Sequence, residues 1–426
     1  MNASVRDAGR PPRVRIHDLA EPQYSDDARA ILDFMGEAGS HLALEPQPLM
    51  DSAAAETGLH DFGPIDFTER LQVLCRAMRQ EGGFNGAGVF QQHNFLIGLL
   101  KNRLLIEDLV RRHPEILDER IEAPIVICGL PRTGTTHLHN LVSADPALRS
   151  LPYWESLEPV LADRERPGPG EPDPRLGRTE AALSFLHVAM PYFERMHEMT
   201  VEHTHEEIQL LAIDFSTMLM ETTAPMPMWR DYYLSHDQRS SYAYLLKVLK
   251  VLQWLRGGVR WVLKSPQHLE QFPALVETFP DATFVVTHRD PVSVTASMIT
   301  MLAYSARLTR DTVDVKGIGT YWADRLARML QACAEGHDVL PDAQTIDVHF
   351  DEFMADDMAM VQRVYDLAGQ PMDDRSRAAM ASFMREHPRG RHGAVVYDLA
   401  EFGLDPAERR KALSFYTELF GVGLES

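Results

Sequence analysis

The chain has 426 residues and a formal net charge of −20, from 42 Lys and Arg against 62 Asp and Glu. Its 45% apolar and 24% charged residues are typical of a globular protein and exclude disordered and fibrous classes. Because the negative charge repels polyanions and anionic bilayers, we expect neither a nucleic-acid partner nor a membrane surface.

The cysteines and the apolar stretches bear on the compartment. Cys75, Cys128 and Cys333 lie far apart in the sequence, so no disulfide framework or cysteine-rich metal site is expected. This usage fits a reducing, cytoplasmic setting. The most apolar long stretch, residues 242–255, contains two lysines and is too short to cross a bilayer. We therefore expect no integral membrane segment.

Residues 1–120 predict an N-terminal helical segment. Apolar residues recur with helical spacing over 26–35, 67–78 and 95–110. No group of residues with catalytic character stands out in this part. We expect it to form a helical layer or a contact between copies of the chain in a homo-oligomer.

Residues 121–426 predict an α/β domain. Residues 125–128 form a short apolar run between Pro and Gly, which is typical of a buried parallel strand. Similar runs occupy 261–263, 283–287 and 345–350, and helical patterns such as 241–256 lie between them. This alternation predicts a parallel sheet flanked by helices.

Two segments with several prolines predict surface loops, residues 164–177 and residues 222–231. The second segment is rich in methionine. It is either an edge of the core or a lid over a hydrophobic substrate.

The first predicted strand leads into Gly-Leu-Pro-Arg-Thr-Gly-Thr-Thr, residues 129–136, and then into a helical pattern. Backbone N–H groups, a helix N-terminus and hydroxyl groups in this order favour an anion. The glycines have the spacing of a P-loop, so we expect a P-loop-like fold. Thr135 replaces the lysine of ordinary NTPases, and Arg132 is the cation of the loop. A nucleotide-dependent kinase or NTPase remains the alternative.

A second anion site follows the strand predicted at 283–287. Arg289 lies where this strand ends, and Ser297 lies in the next helical pattern, eight positions later. A guanidinium and a hydroxyl at this spacing can hold one anion between them.

Together these motifs resemble the sulfotransferases, and in particular the bacterial branch with a Pro-Arg-[Ser/Thr]-Gly-Thr-Thr loop. The resemblance extends to Lys264-Ser-Pro-Gln-His268, to His-Pro-Arg-Gly-Arg-His-Gly at 387–393 and to Glu-Phe-Gly-Leu at 401–404, in the order of the family. It implies the co-substrate 3′-phosphoadenosine 5′-phosphosulfate (PAPS).

The resemblance also implies which residues bind this donor. The 5′-phosphosulfate would be held by the first loop, through Arg132, Thr133, Gly134, Thr135 and Thr136. The 3′-phosphate would be held by Arg289 and Ser297. A basic loop would close on the nucleotide, through Arg389, Gly390 and Arg391.

Sulfuryl transfer needs cations at the departing oxygen and a base for the acceptor proton. We expect Arg132 and Lys264 as cations and His268 as the first candidate base. Glu206, in the acidic and histidine-rich run 202–207, is the second candidate base, although this run could equally be a solvated helical face. His203 and His205 could share a metal ion only on a strand, and without a third ligand we expect no metal.

The acceptor is expected to be a small molecule with a hydroxyl or amine group. Six residues either line an apolar pocket for it or belong to the core: Met218, Met220, Met226, Met228, Trp229 and Tyr232. The net charge of −20 disfavours bulky polyanionic acceptors. The donor would then enter a local positive pocket made by five cations: Arg132, Lys264, Arg289, Arg389 and Arg391.

Overall fold

The structure is a computed structural model that describes residues 11–425. Within this range the sheet has four parallel strands in the order β2-β1-β3-β4: β1 Ile125–Cys128, β2 Val262–Ser265, β3 Thr283–His288 and β4 Thr345–His349. Their carboxyl ends meet at one edge, where Cys128 pairs in register with Ser265. The predicted α/β class is confirmed, and each predicted strand forms with its ends shifted by no more than two residues.

Helices surround the sheet and also form a layer before it. In the described range the α-helices are α1 Asp26–Gly39, α2 Pro46–Thr57, α3 Phe67–Glu81, α4 Gly86–Arg112, α5 Thr135–Ser143, α6 Tyr153–Leu157, α7 Pro174–Ala189, α8 Ile208–Leu211, α9 Pro227–Ser235, α10 Arg239–Arg256, α11 Phe272–Thr278, α12 Pro291–Ala306, α13 Val315–Gly336, α14 Phe350–Ala355, α15 Asp357–Ala368, α16 Asp374–Glu386, α17 Pro406–Ala412 and α18 Ser414–Leu419.

The strands alternate their side chains between two apolar cores, because successive residues of a strand point to opposite faces. Val126 and Cys128 face the larger core, which includes residues of α10, α12 and α13. Ile125 and Ile127 face the smaller core, which includes residues of α5, α15 and α16. Both faces are therefore covered, as expected for a parallel sheet.

The N-terminal helices are joined to the rest of the chain through a buried carboxylate. Asp214 accepts hydrogen bonds from Arg70 Nη2 on α3 at 2.6 Å and from Arg103 Nη1 on α4 at 2.8 Å. Ser241 Oγ on α10 donates to the same carboxylate at 2.6 Å. The helical character of this part agrees with the sequence pattern, whereas the boundary at residue 120 and a homo-oligomer stay predictions.

Both predicted surface loops contain helix, which corrects the sequence analysis. α7 begins at Pro174 inside the first segment, and α9 begins at Pro227 inside the second. Proline suits the first position of a helix, since the N–H that it lacks has no partner there. Met226 and Trp229 are fully buried in the larger core, so the second segment is core and not a lid.

The remaining candidates for an apolar acceptor pocket also belong to the core. Met218 and Met220 are fully buried, and Met228 and Tyr232 pack against the same cluster. Of the helices between residues 11 and 425, none combines the length and apolar composition that crossing a bilayer requires.

Candidate active site

The loop between β1 and α5 requires glycine at two positions. Gly134 has φ +89°, a left-handed conformation from which α5 starts. A Cβ atom on Gly129 would lie 1.9 Å from Oγ1 of Thr287, which is buried at the end of β3. The loop therefore lies tightly against β3, and the N-terminus of α5 provides a positive dipole end for an anion.

The hydroxyl groups of this loop have different surroundings. Thr133 Oγ1 donates to Leu130 O at 2.7 Å and lies 2.7 Å from Thr287 Oγ1, so this side chain fastens the loop to β3. Thr133 and Thr135 are buried, whereas Thr136 lines the adjoining cavity. Thr136 is thus the loop hydroxyl that a ligand in the cavity can reach.

A cavity of about 620 Å³ lies at the carboxyl ends of β1 and β3. Seven of the predicted site residues line it: Arg132, Gly134, Thr136, Arg289, Arg389, Gly390 and Arg391. The other six do not line it: Thr133, Thr135, Lys264, His268, Glu206 and Ser297. The structure thus brings the two arginine motifs and the glycine loop together around one space.

Arg132 links the first loop to the second anion site. This residue has φ +74°, and its Nε donates to Ser297 Oγ at 3.0 Å. Arg289 Nη1 donates to the backbone oxygen of Arg132 at 2.6 Å. The guanidinium of Arg132 therefore lies beside Ser297. The hydrogen-bond partner of Ser297 is thus Arg132 and not Arg289, with which the sequence had paired it.

Four of the five cations predicted to form a local positive pocket are paired with carboxylates. Arg289 pairs with Glu425, Arg389 with Asp357 and Arg391 with Glu198. At the end of β2, Lys264 Nζ pairs with Glu206. Of the five predicted cations, only Arg132 has no carboxylate partner within residues 11–425. An anion that binds one of these paired cations must displace its carboxylate.

His268 does not fit its predicted role as the base. It lies in the 3-10 turn Pro266–Glu270 after β2 and is fully buried. Its Nε2 lies 2.6 Å from Glu207 Oε1, and its Nδ1 lies 2.8 Å from Tyr242 Oη. Because a base must offer a nitrogen atom to the acceptor, these contacts argue against His268 and indicate a structural role.

Glu207 connects this buried network to the strand that carries Lys264. Its Oε2 accepts a hydrogen bond from Lys264 N at 2.7 Å. The chain from Tyr242 through His268 and Glu207 therefore fixes the end of β2. Sequence spacing alone could not identify this role for His268, since its partner Glu207 is 61 residues away.

The run 202–207 is not a solvated helical face. Thr204 forms an antiparallel bridge with Pro152, and the following Glu206 holds Lys264. His203 lines the cavity, with the rings of His197 and His205 at centroid distances of 5.6 and 6.1 Å. No described residue forms a hydrogen bond with the His203 ring nitrogens. From the sequence, His203 was a candidate only as a metal ligand.

Burial keeps these histidines neutral. It lowers the pKa of His203 to about 4, and the positive charge of Lys264 acts in the same direction. Burial also holds the pKa values of His197 and His205 well below the ordinary value. Within residues 11–425, no three His, Cys, Asp or Glu side chains are grouped so that they could hold a metal ion.

The fold and this edge of the sheet define an α/β protein of the P-loop-like kind with a basic, glycine-rich anion site. The sequence model of the Sulfotransferase family matches residues 124–374, which is more than half of the chain. The chain belongs to the sulfotransferase family, and this favours sulfuryl transfer over the kinase alternative.

Two solved mycobacterial structures are similar over most of the chain. Sulfotransferase STF1 from Mycobacterium tuberculosis H37Rv is 30% identical with a TM-score of 0.75, covering 86% of this chain and 98% of that one. Sulfotransferase STF9 from Mycobacterium avium is 25% identical with a TM-score of 0.80, covering 91% and 99%. These similarities confirm the fold class predicted from the sequence.

A curated relative gives a more specific comparison. The omega-hydroxy-beta-dihydromenaquinone-9 sulfotransferase Stf3, from Mycobacterium tuberculosis and Mycobacterium bovis, is 23% identical over 267 residues. The match covers 58% of this chain and 63% of the relative, so it spans less than two thirds of that protein.

Proposed function

We propose that this protein transfers a sulfuryl group from PAPS to a hydroxyl or amine group of a small, hydrophobic acceptor. The observation that carries the proposal is a cavity at the carboxyl edge of the sheet that is lined together by the glycine loop, Arg289 and the basic loop 387–393. We further propose that the chain belongs to the bacterial branch with the Pro-Arg-[Ser/Thr]-Gly-Thr-Thr loop, which its residues 131–136 match.

The donor would lie along this cavity with its two anionic ends apart. The N-terminus of α5 and the hydroxyl of Thr136 would hold the 5′-phosphosulfate. Arg289 would hold the 3′-phosphate in a forked contact. Arg132, which contacts Ser297 and Arg289, would lie between the two ends. Arg389 and Arg391 would bind the nucleotide after leaving Asp357 and Glu198.

The transfer itself would be an in-line displacement in which negative charge grows on the departing oxygen. Arg132, which lines the cavity, is the first cation that would stabilise this charge. Lys264 would contribute after its ammonium group leaves Glu206. For the acceptor proton we propose His203, because it is neutral, lines the cavity and has no other hydrogen-bond partner among residues 11–425. Glu206 is the second candidate, since its carboxylate lies at Lys264.

The hydrophobic character of the acceptor is supported by the cavity and not by the methionine-rich core. Apolar side chains of Met196, Phe350, Met354 and Phe383 line the cavity beside the charged groups. The name of the relative Stf3 describes a hydroxylated menaquinone as its acceptor. We therefore propose an apolar alcohol, phenol or amine as the acceptor of this chain.

A thermal unfolding assay with adenosine 3′,5′-bisphosphate, the product nucleotide of the donor, tests the proposal. At about 100 times its Kd, a ligand that binds only the folded state stabilises it by about 2.7 kcal/mol. We expect this gain for the bisphosphate and none for ATP with Mg²⁺. The reverse result would favour a kinase, and no gain from the bisphosphate would contradict the proposal.

Transfer is then measured with ³⁵S-labelled PAPS and a panel of apolar alcohols, phenols and amines. Labelled product should form with members of this panel, and the Arg289→Ala variant should form at least about fivefold less of it at a donor concentration near the wild-type KM. Bisphosphate binding without transfer to any of these acceptors would contradict the proposed acceptor class.

A further inference from the structure

The carboxylate of Glu425 binds the guanidinium of Arg289, which is the group that the proposed function assigns to the 3′-phosphate. Arg289 Nε donates to Glu425 Oε1 at 2.6 Å, and Arg289 Nη2 donates to Glu425 Oε2 at 2.8 Å. This forked arrangement of two parallel bonds is the one in which a guanidinium also binds a phosphate. A carboxylate and a phosphate therefore cannot use these two donors at the same time.

The backbone around Glu425 is held in place independently of its side chain. Glu425 N donates to Asp290 Oδ2 at 2.8 Å, and Arg410 Nη2 donates to Glu425 O at 2.5 Å. Arg410 Nη1 also contacts Asp290 Oδ2, at 3.1 Å. Asp290 caps the start of α12 directly after Arg289. These contacts keep the Glu425 carboxylate within reach of Arg289 when the two side chains separate.

Arg289 has other contacts that fix its position without Glu425. Its Nη1 donates to the backbone oxygen of Arg132 at 2.6 Å, and the guanidinium lies 3.9 Å from the centroid of the Phe350 ring. The Glu425 side chain is 37% exposed, so its carboxylate can turn into solvent without disturbing the core. Orientation of Arg289 thus does not require the carboxylate.

We propose that Glu425 is a built-in competitor for the 3′-phosphate subsite. Its carboxylate binds Arg289 until a phosphate displaces it, which lowers the affinity for the donor and for the bisphosphate product alike. The inference rests on the proposed function, in which Arg289 binds the 3′-phosphate. A dianionic phosphate is attracted to the guanidinium more strongly than a carboxylate with one charge, so the phosphate displaces Glu425. The affinity for the nucleotide is nevertheless lower than it would be without the carboxylate.

Calorimetric titration of the full chain with two nucleotides tests this inference. The first is adenosine 3′,5′-bisphosphate, and the second is adenosine 5′-phosphate, which has no 3′-phosphate. Glu425→Gln should tighten bisphosphate binding by about two- to fivefold, the range of a partly exposed ion pair, and leave adenosine 5′-phosphate unchanged. The matched control Glu418→Gln removes one exposed charge from α18 and should change neither affinity.

A double-variant cycle separates competition from a general charge effect. In an Arg289→Ala background, Glu425→Gln should have no effect on the bisphosphate, because the contested group is gone. The inference would be overturned if Glu425→Gln raised the bisphosphate affinity equally in the Arg289→Ala background. It would also be overturned if Glu425→Gln alone left the bisphosphate affinity unchanged or lowered it. Thermal unfolding of each variant verifies that the fold is intact.

The two proposals fail in different ways. Should wild-type protein not prefer the bisphosphate over adenosine 5′-phosphate, the proposed function and this inference both fall. Should it prefer the bisphosphate while Glu425→Gln brings no gain, only the role of Glu425 falls.

Discussion

Replacing Gly129 by alanine tests how closely the glycine loop is fitted to β3. The added Cβ would lie 1.9 Å from Thr287 Oγ1 and 2.9 Å from Thr135 Cγ2. Gly129 is not among the residues with positive φ, so the cost of replacing it comes from steric overlap and not from backbone strain. Overpacking of a filled interior costs about 1–3 kcal/mol, and we expect Gly129→Ala to lose this much unfolding free energy.

The cost should depend on Thr287. Thr287→Ala removes the oxygen that the new Cβ would meet, together with the hydroxyl contact to Thr133 at 2.7 Å. That single change should cost about 0.5–1.5 kcal/mol for the lost hydrogen bond, with a further loss for its methyl group. In the double variant, Gly129→Ala should cost less than it does in the wild-type background, because the 1.9 Å overlap with Thr287 is gone and the 2.9 Å contact with Thr135 Cγ2 remains.

Urea unfolding of the single and double variants measures these free energies, with bisphosphate titration as a second readout. Gly98→Ala on α4 is the matched control, since nothing lies within 4 Å of its added Cβ. That variant should be as stable as wild type or more stable by about 0.5–1 kcal/mol. Equal stability of Gly129→Ala and wild type, or additive losses in the double variant, would refute the steric reasoning.

Four further predictions address the site and its support. In calorimetry, Arg289→Ala should weaken the binding of adenosine 3′,5′-bisphosphate by about 1.5–3 kcal/mol and leave the affinity for adenosine 5′-phosphate unchanged. Equal losses of affinity for both nucleotides would contradict this. His203→Gln should lower kcat by about 10²–10⁴ without changing bisphosphate affinity. Since burial lowers the pKa of His203 to about 4, the wild-type kcat/KM should fall only as the pH approaches that value; an acid limb near the ordinary histidine pKa would exclude His203. Asp214→Ala should lose about 3–5 kcal/mol of unfolding free energy in urea, because two buried guanidinium groups lose their carboxylate, and a loss below that range would contradict this reasoning.

The strands and the glycine loop could be predicted because their signals are contiguous. Residues 125–128 are apolar at each position, and all four are buried in β1. Proline-rich segments were harder, because Pro174 and Pro227 begin helices as readily as they interrupt them. Composition alone does not separate these two uses.

Partners distant in sequence could not be predicted. The spacing from Lys264 to His268 does not say which way the turn after β2 faces, and that turn directs the imidazole into the core. The sequence likewise reveals the charge of Arg289 but not its pairing with Glu425, 136 residues away. A positive pocket was therefore expected where the structure has ion pairs.

The carboxylate of Asp214 has a consequence for how far the chain can be shortened. The family match begins at residue 124, yet Asp214 inside the match is only 3% exposed and depends on arginines from α3 and α4. A gene fragment that begins at the match would encode a buried anion without its two guanidinium partners. The upstream helices therefore stabilise the part of the chain that the family model matches, because without them Asp214 would be a buried charge that lacks these partners.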